Sequence, residues 1–124
     1  MTSSDRFASA RRAAETRGRS SEILAAWLLR LKLYRILARR VKTHAGEIDL
    51  VARSPGGVLC FVEVKARRDV RSAVDSVVPR QRARIERAAF LFVAGKPNLA
   101  RGGMRFDIVT VAPFPRHFKD AWRP

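Results

Sequence analysis

The sequence predicts an α/β sandwich on a mixed sheet, and three observations carry that expectation. Two period-two runs, residues 47–51 and 60–65, flank the turn Ser54-Pro55-Gly56-Gly57. Apolar residues recur at helical spacing over 20–32 and again over 79–95. A further alternating run fills 104–111. The order reads helix, three strands, helix, strand and a short tail, with both helices covering the sheet.

Residues 1–17 are rich in Ser, Ala and Arg, with Phe7 their only aromatic, and read as a flexible basic arm ahead of a single domain over 18–124. The arm is Arg-rich and acid-poor like a transit peptide, but lacks the apolar run of a secretory signal. It is either a basic tail for nucleic acid or a solvated terminus. Ser20 and Ser21 are N-cap candidates for a helix running to about Lys32, with Glu22 in the first turn, where a negative charge complements the helix dipole. Ile23, Trp27, Leu28 and Leu31, widened by Leu24, form the face expected to pack on the sheet. Residues 34–41 read as the first strand despite Arg35, Arg39 and Arg40, and Lys42 to Gly46 turn the chain into the hairpin. His44 in that turn has the chemistry of a base or ligand, although a lone loop histidine is more often simply exposed.

In the hairpin, Pro55 supplies a fixed φ and the glycines a positive one. With Pro55 to Gly57 as the loop, Ser54 pairs with Val58, Asp49 lies opposite Glu63 and Glu47 opposite Lys65. Glu47 and Asp49 share one face of their strand, with Ile48 and Leu50 on the other. Phe61, Glu63 and Lys65 share a face, with Cys60, Val62 and Val64 opposite. Facing Cβ atoms are about 5 Å apart, so Asp49 and Glu63 repel unless something neutralises them. A divalent cation does so, since Mg²⁺ takes one or two carboxylates plus waters and phosphate oxygens. Lys65 then stands where it can steady a phosphate or orient water. Such spacing also arises on the solvated face of a half-buried sheet. The apolar run Val58 to Val62, the directly opposed acids and the basic background favour the metal site.

Residues 66–71 form a charged loop in which Arg67 and Arg68 are candidates to grip phosphate. Residues 72–78 are ambiguous. The second helix begins at Pro79 and stops at Gly95 and Pro97, with Ile85, Ala88, Ala89 and Phe92 inward. In the strand 104–111, Phe106, Ile108 and Thr110 face one way, and Asp107 on the other side is expected to pair with an arginine. The tail, with Pro113, Pro115 and Pro124 among Phe114, Phe118 and Trp122, reads as too proline-rich for a long element, its aromatics covering an edge of the core or a partner.

With 124 residues and 47% apolar content, the chain supports one real core. Its 26 Lys and Arg against 11 acids give a formal charge of +15, a field that attracts polyanions. Nucleic acid is the expected partner rather than membrane, because no apolar run approaches the roughly 18–20 residues needed to span. The single cysteine excludes an internal disulfide and suits the cytoplasm. Cys60 falls on an apolar face as a small buried hydrophobe.

Gly46-Glu47-Ile48-Asp49-Leu50-Val51-Ala52, followed by Phe61-Val62-Glu63-Val64-Lys65-Ala66-Arg67, resembles the signature of the YraN family of small bacterial proteins, in the PD-(D/E)xK, or restriction-endonuclease-like, superfamily. Residues 18–31, Arg105 to Val109, Arg116-His117-Phe118 and Ala121-Trp122 extend the likeness. The usual Pro before the first Asp is replaced by Ile48. The resemblance implies a restriction-endonuclease-like sandwich, with metal ligands at Asp49 and Glu63, a catalytic lysine at Lys65 and a supporting Glu22. It also implies a polar residue early in the second helix reaching the site, at Gln81 or Arg82. The leading expectation is a Mg²⁺- or Mn²⁺-dependent endonuclease acting on DNA, similar to Holliday-junction resolvases, with Glu47 tuning Lys65 and a homodimer if the substrate is branched. The alternative is a non-catalytic nucleic-acid-binding or scaffolding protein that keeps the fold.

Overall fold

A computed structural model describes residues 19–67 and 77–124. The basic arm of 1–17, Arg68 and most of the ambiguous stretch 72–78 lie outside the described residues, as does the side chain of Arg67. Helix α1 covers residues 19–31 and is followed by β1 (Arg35–Lys42), β2 (Glu47–Arg53) and β3 (Leu59–Arg67). Then come α2 (Pro79–Gly95), a 3₁₀ turn (Pro97–Ala100), β4 (Met104–Ala112) and β5 (Arg116–Trp122). The five strands lie in the order β1-β2-β3-β4-β5, with β3 and β4 parallel and the other pairs antiparallel. This is a restriction-endonuclease-like α/β sandwich with a mixed sheet.

The helix α2 is as its sequence dictates. Pro79 opens it, and Ile85, Ala88 and Ala89 are buried with Phe92 packed beside them. Under α2 the sheet contributes Val51, Leu59, Phe61, Phe106 and Ile108, and Phe61 lies between Phe92 (6.1 Å, edge-on) and Phe106 (5.7 Å, stacked). Such aromatic contacts add about 0.5–1.5 kcal/mol each beyond area burial. On the other side of the sheet, α1 covers Leu50, Ala52, Cys60, Val62 and Val109.

The burial of α1 corrects the expectation. Ala25, Ala26 and Leu29 are fully buried, whereas Ile23, Leu24, Trp27 and Leu31 are 47%, 49%, 57% and 79% exposed. Only Leu28 of the expected face is half-buried against the core. Two adjacent alanines let the helix approach the sheet closely, and contact with backbone and sheet outweighs the size of the residues turned away. Ser20 and Ser21 lie inside the helix rather than capping it.

The tail is also corrected, because residues 116–122 form a fifth strand rather than an irregular cover. Pro113, after a cis peptide bond, and Pro115 are confined to the turn, which leaves Arg116–Trp122 free to pair with β4. Trp122 does cover the core as expected, stacked on Phe106 at 5.2 Å with its indole N–H donating to Glu86 (3.0 Å).

At the end of the sheet holding the β2–β3 turn, Ser54 N–H donates to Val58 O (2.9 Å) and Gly57 takes φ 91°. Gly102 presses against the backbone of Gly57 so closely that no Cβ fits between them. Gly102→Ala therefore destabilises the chain, by about 1–3 kcal/mol in urea unfolding, through overpacking against a backbone that has no rotamer to yield.

Candidate active site

The hairpin register is the expected one. Arg53 pairs with Leu59 and the ladder runs to Leu50 opposite Val62. At the next position it opens. The Asp49 carboxylate, not a β2 carbonyl, accepts the N–H of Val64, at 2.8 Å from Oδ2. The neighbouring strand is irregular at the same level. Arg40 lies between the rungs Arg39–Leu50 and Val41–Ile48 and has φ 52°, a left-handed conformation that breaks period-two alternation. Ile48 and Leu50, expected on one face, pack in different layers, Ile48 under α2 and Leu50 under α1.

The opened ladder brings Asp49 and Glu63 near enough for each carboxyl to act on the other's charge. Glu63 is only 8% exposed. Gln81, in the first turns of α2, donates from Nε2 to Glu63 Oε1 (2.9 Å) and accepts from Lys65 Nζ (3.4 Å). Lys65 is thus held 3.8 Å from Glu63, near the carboxylate without closing a tight pair. Arg82, the other candidate in this helix, instead donates to Val77 O (2.7 Å) and lies over Trp122. Glu22 projects from α1 toward the same centre, its Oε2 accepting from Arg40 Nε at 2.7 Å. Glu47 is exposed at the start of β2, and Lys65 turns instead to Gln81 and Glu63. His44 is exposed beside Lys42, Thr43 and Leu91, in a groove of its own.

The electrostatics follow from burial. Desolvation, with the charge of Asp49 added, pushes the Glu63 carboxyl up to about 8, opposed by Lys65. Asp49 is raised by burial and by the charge of Glu22, and the Val64 N–H opposes. Two like-charged groups side by side cannot both ionise at neutral pH without a neutralising partner. A hard divalent cation would suit this donor set, since Asp49 and Glu63 would offer it two carboxylates and leave room for water and phosphate oxygens. Among the described residues no three His, Cys, Asp or Glu side chains are gathered in ligand geometry, so the protein offers the pair and Glu22 stands back at the rim. Beside Lys65 in the parallel register is Thr110, whose buried Oγ1 has no hydrogen-bond partner among the described residues. It is an orphaned polar atom in the wall of the site.

The family model for the uncharacterised protein family UPF0102 matches residues 21–111, which contain all of these residues. The chain belongs to this family. It is the YraN family expected from the paired motifs. A UPF0102 protein of Paramagnetospirillum magneticum is 53% identical over 120 residues, covering 92% of each chain. One from Parvibaculum lavamentivorans is 51% identical over 86% of this chain and 81% of its own. A third, from Maricaulis maris, is 52% identical over 93% and 91%. β5 lies beyond the span matched by the family model.

Sequence reasoning missed Arg40 as the partner of Glu22, although the β1–β2 register places it across from Asp49. It also left His117 without a role. The imidazole Nε2 meets Asp107 Oδ2 at 2.8 Å, and Lys32 Nζ donates to Nδ1 at 2.6 Å. Arg105 grips both oxygens of Asp107 at 2.8 Å and reaches Tyr34. Burial opposes the Asp107 charge, but His117, Arg105 and the Asp120 N–H together hold the carboxyl down at about 2. This cluster ties β4 to β5, and Asp107 pairs with an arginine as expected.

The two acidic centres give opposite pH dependences. Folded Glu63 keeps its proton up to about pH 8, while the unfolded chain loses it near the ordinary 4.5. The folded state binds more protons in that window, so the stability from this group falls as pH rises through it, at about 1.4 kcal/mol per unit of separation. Asp107 contributes stability above its ordinary 3.8 that is lost as pH falls toward 2. In thermal melts with EDTA, Glu63→Gln is expected to exceed wild type at pH 8, with the gap closing toward pH 5. Equal gaps at both values would refute the raised carboxyl.

Proposed function

We propose that the chain is a Mg²⁺- or Mn²⁺-dependent endonuclease that hydrolyses DNA phosphodiester bonds, with branched DNA the first substrate to test. The observation that carries this reading is the pair of buried Glu63 and half-buried Asp49, with Lys65 held beside it by Gln81. A protein gains nothing in stability from two facing acids that repel, whereas a metal-assisted hydrolase needs them. The bound cation would supply Lewis acidity at the phosphorus oxygens and an acidified water.

Asp49 and Glu63 would hold the cation, and the Val64 N–H fixes the orientation of Asp49 toward it. Lys65 carries three donors at the edge of the pair and serves to align a water or to balance charge building on the phosphoryl oxygens. Gln81 positions both Glu63 and Lys65 with one amide. Glu22 assists from the rim, and Glu47 adds negative charge near Arg40 rather than acting on Lys65 directly. Arg67, at the end of β3, and Arg68, next in the sequence, are candidates to hold the strand. Cutting both sides of a junction requires two such sites, hence a dimer. A cytoplasmic location suits both the substrate and the buried Cys60, whose thiol burial pushes up to about 11.

A scaffolding role is the second reading, and the exposed stripe Ile23, Trp27 and Leu31 on α1 favours it, since it offers a protein partner an apolar face. Cleavage of a labelled panel (four-way junction, flap, duplex, single strand and RNA) with Mg²⁺ or Mn²⁺ separates the two. Asp49→Ala, Glu63→Ala and Lys65→Ala should each lose at least about 100-fold in rate with binding retained. Gln81→Ala should lose about 10- to 100-fold as a residue that positions others. Millimolar Mn²⁺ should raise the melting temperature of wild type and not of Asp49→Ala. Salt-sensitive binding with no cleavage and no metal shift would leave the scaffold.

A further inference from the structure

Beside the carboxylate pair, between the start of α1 and β1, lies an open cleft of about 460 Å³ lined by Arg19, Glu22, Ile23, Arg39 and Arg40. Three guanidinium groups face one carboxylate there. Arg19 and Arg39 are exposed and take no partner among the described residues. Arg40 is fixed by a single bond from its Nε to Glu22, which leaves its Nη donors toward the cleft without partners among the described residues.

Two further observations show that this is a built feature. Arg40 adopts φ 52°, a conformation disfavoured for an L-residue that collects at functional sites when the surroundings hold it. The β1–β2 rungs Arg39–Leu50 and Val41–Ile48 set Arg40 across from Asp49, and the charges of Glu22, Glu47 and Asp49 all act on its guanidinium, so the cleft borders the acidic pair on its Asp49 side. A polynucleotide carries a phosphate on each side of the bond to be cut. With the scissile phosphate at Asp49 and Glu63, an adjoining one reaches these arginines, whose planar forks match phosphate oxygens in pairs.

We propose that the cleft of Arg19, Arg39 and Arg40 is the subsite for the backbone phosphate next to the scissile bond, and that this phosphate takes Arg40 in exchange for Glu22. The exchange releases Glu22 toward the acidic pair only when a strand is in place, which ties completion of the site to a polymeric substrate. The proposal rests on the nuclease reading for the identity of the neighbouring phosphate, yet its test needs no turnover.

The test is fluorescence anisotropy of labelled single-stranded and duplex oligonucleotides with the full chain in EDTA, across a salt series. Arg19→Ala and Arg39→Ala should each lower the slope of log affinity against log salt by about 0.7–0.9, as expected when one fewer phosphate is neutralised. Arg101→Ala, at the opposite end of the sheet, should leave the slope unchanged. Arg40→Lys keeps the charge but loses the fork and should weaken binding several-fold. Glu22→Gln frees Arg40 and should tighten metal-free binding several-fold, more than Asp120→Asn, which frees Arg123 at the far edge of the sheet. Circular dichroism confirms that each variant is folded. Cleft variants that bind like Arg101→Ala, or a Glu22→Gln no tighter than Asp120→Asn, overturn the subsite. A chain that cuts DNA with unchanged cleft variants would overturn the subsite and leave the enzyme standing. A chain that binds through the cleft but never cuts would support the subsite and defeat the nuclease.

Discussion

Everything at the acidic centre depends on one hydrogen bond, from the Val64 N–H to the carboxylate of Asp49. A sheet normally spends each inner N–H on a neighbouring carbonyl, and leaving one unpaired costs on the order of 1–3 kcal/mol. Here a side chain takes that place. The substitution lets β2 part from β3 after Leu50 without orphaning a donor, and the gap accommodates two carboxyl groups. It also anchors Asp49 to the strand that carries Glu63 and Lys65, so three groups from two strands move as one body. Gln81 then locks the body to α2.

The molecule resolves the same electrostatic problem in two ways on the two sides of its sheet. In the α1 layer, Asp107 is buried but surrounded by Arg105, His117 and a backbone donor, and it is charged at every ordinary pH. In the α2 layer, buried Glu63 and half-buried Asp49 have one lysine held at arm's length. The first arrangement is complete and serves the join between β4 and β5. The second is incomplete by its own chemistry, and incompleteness in a site walled by a fixed strand pair is what distinguishes a place that receives something from a place that merely holds together.

Much of this was legible in the sequence, for identifiable reasons. The hairpin register followed from one turn, because Pro55 and the two glycines allow few loop geometries and the strand period then fixes every rung. The bounds of α2 followed from Pro79 and Gly95. What escaped detection involved small or conformationally unusual residues. Ala25 and Ala26 carry little hydropathy, so the larger Ile23, Trp27 and Leu31 dominated the pattern although they face solvent. The left-handed Arg40 has no sequence marker, since such backbone is usually written with glycine. β5 was hidden by prolines that fall just before it, and the exchange of faces between Ile48 and Leu50 breaks the period-two rule on which the reading of β2 relied. The roles proposed for Asp49, Glu63 and Lys65 rest as much on the family resemblance as on spacing.

The exposed face of α1 also equips the chain with a built-in pair of optical probes. Trp27 is more than half open to water, with the Arg30 guanidinium 5.3 Å from its ring centre, while Trp122 is stacked in the core. These are the only two tryptophans in the sequence. One ring emits from a wet, cationic setting and the other from a dry aromatic one. Anything that settles on α1 changes the first without touching the second, and loosening of the β4–β5 edge does the reverse. Without any label, the protein's own fluorescence therefore distinguishes an encounter at its surface from a disturbance of its interior.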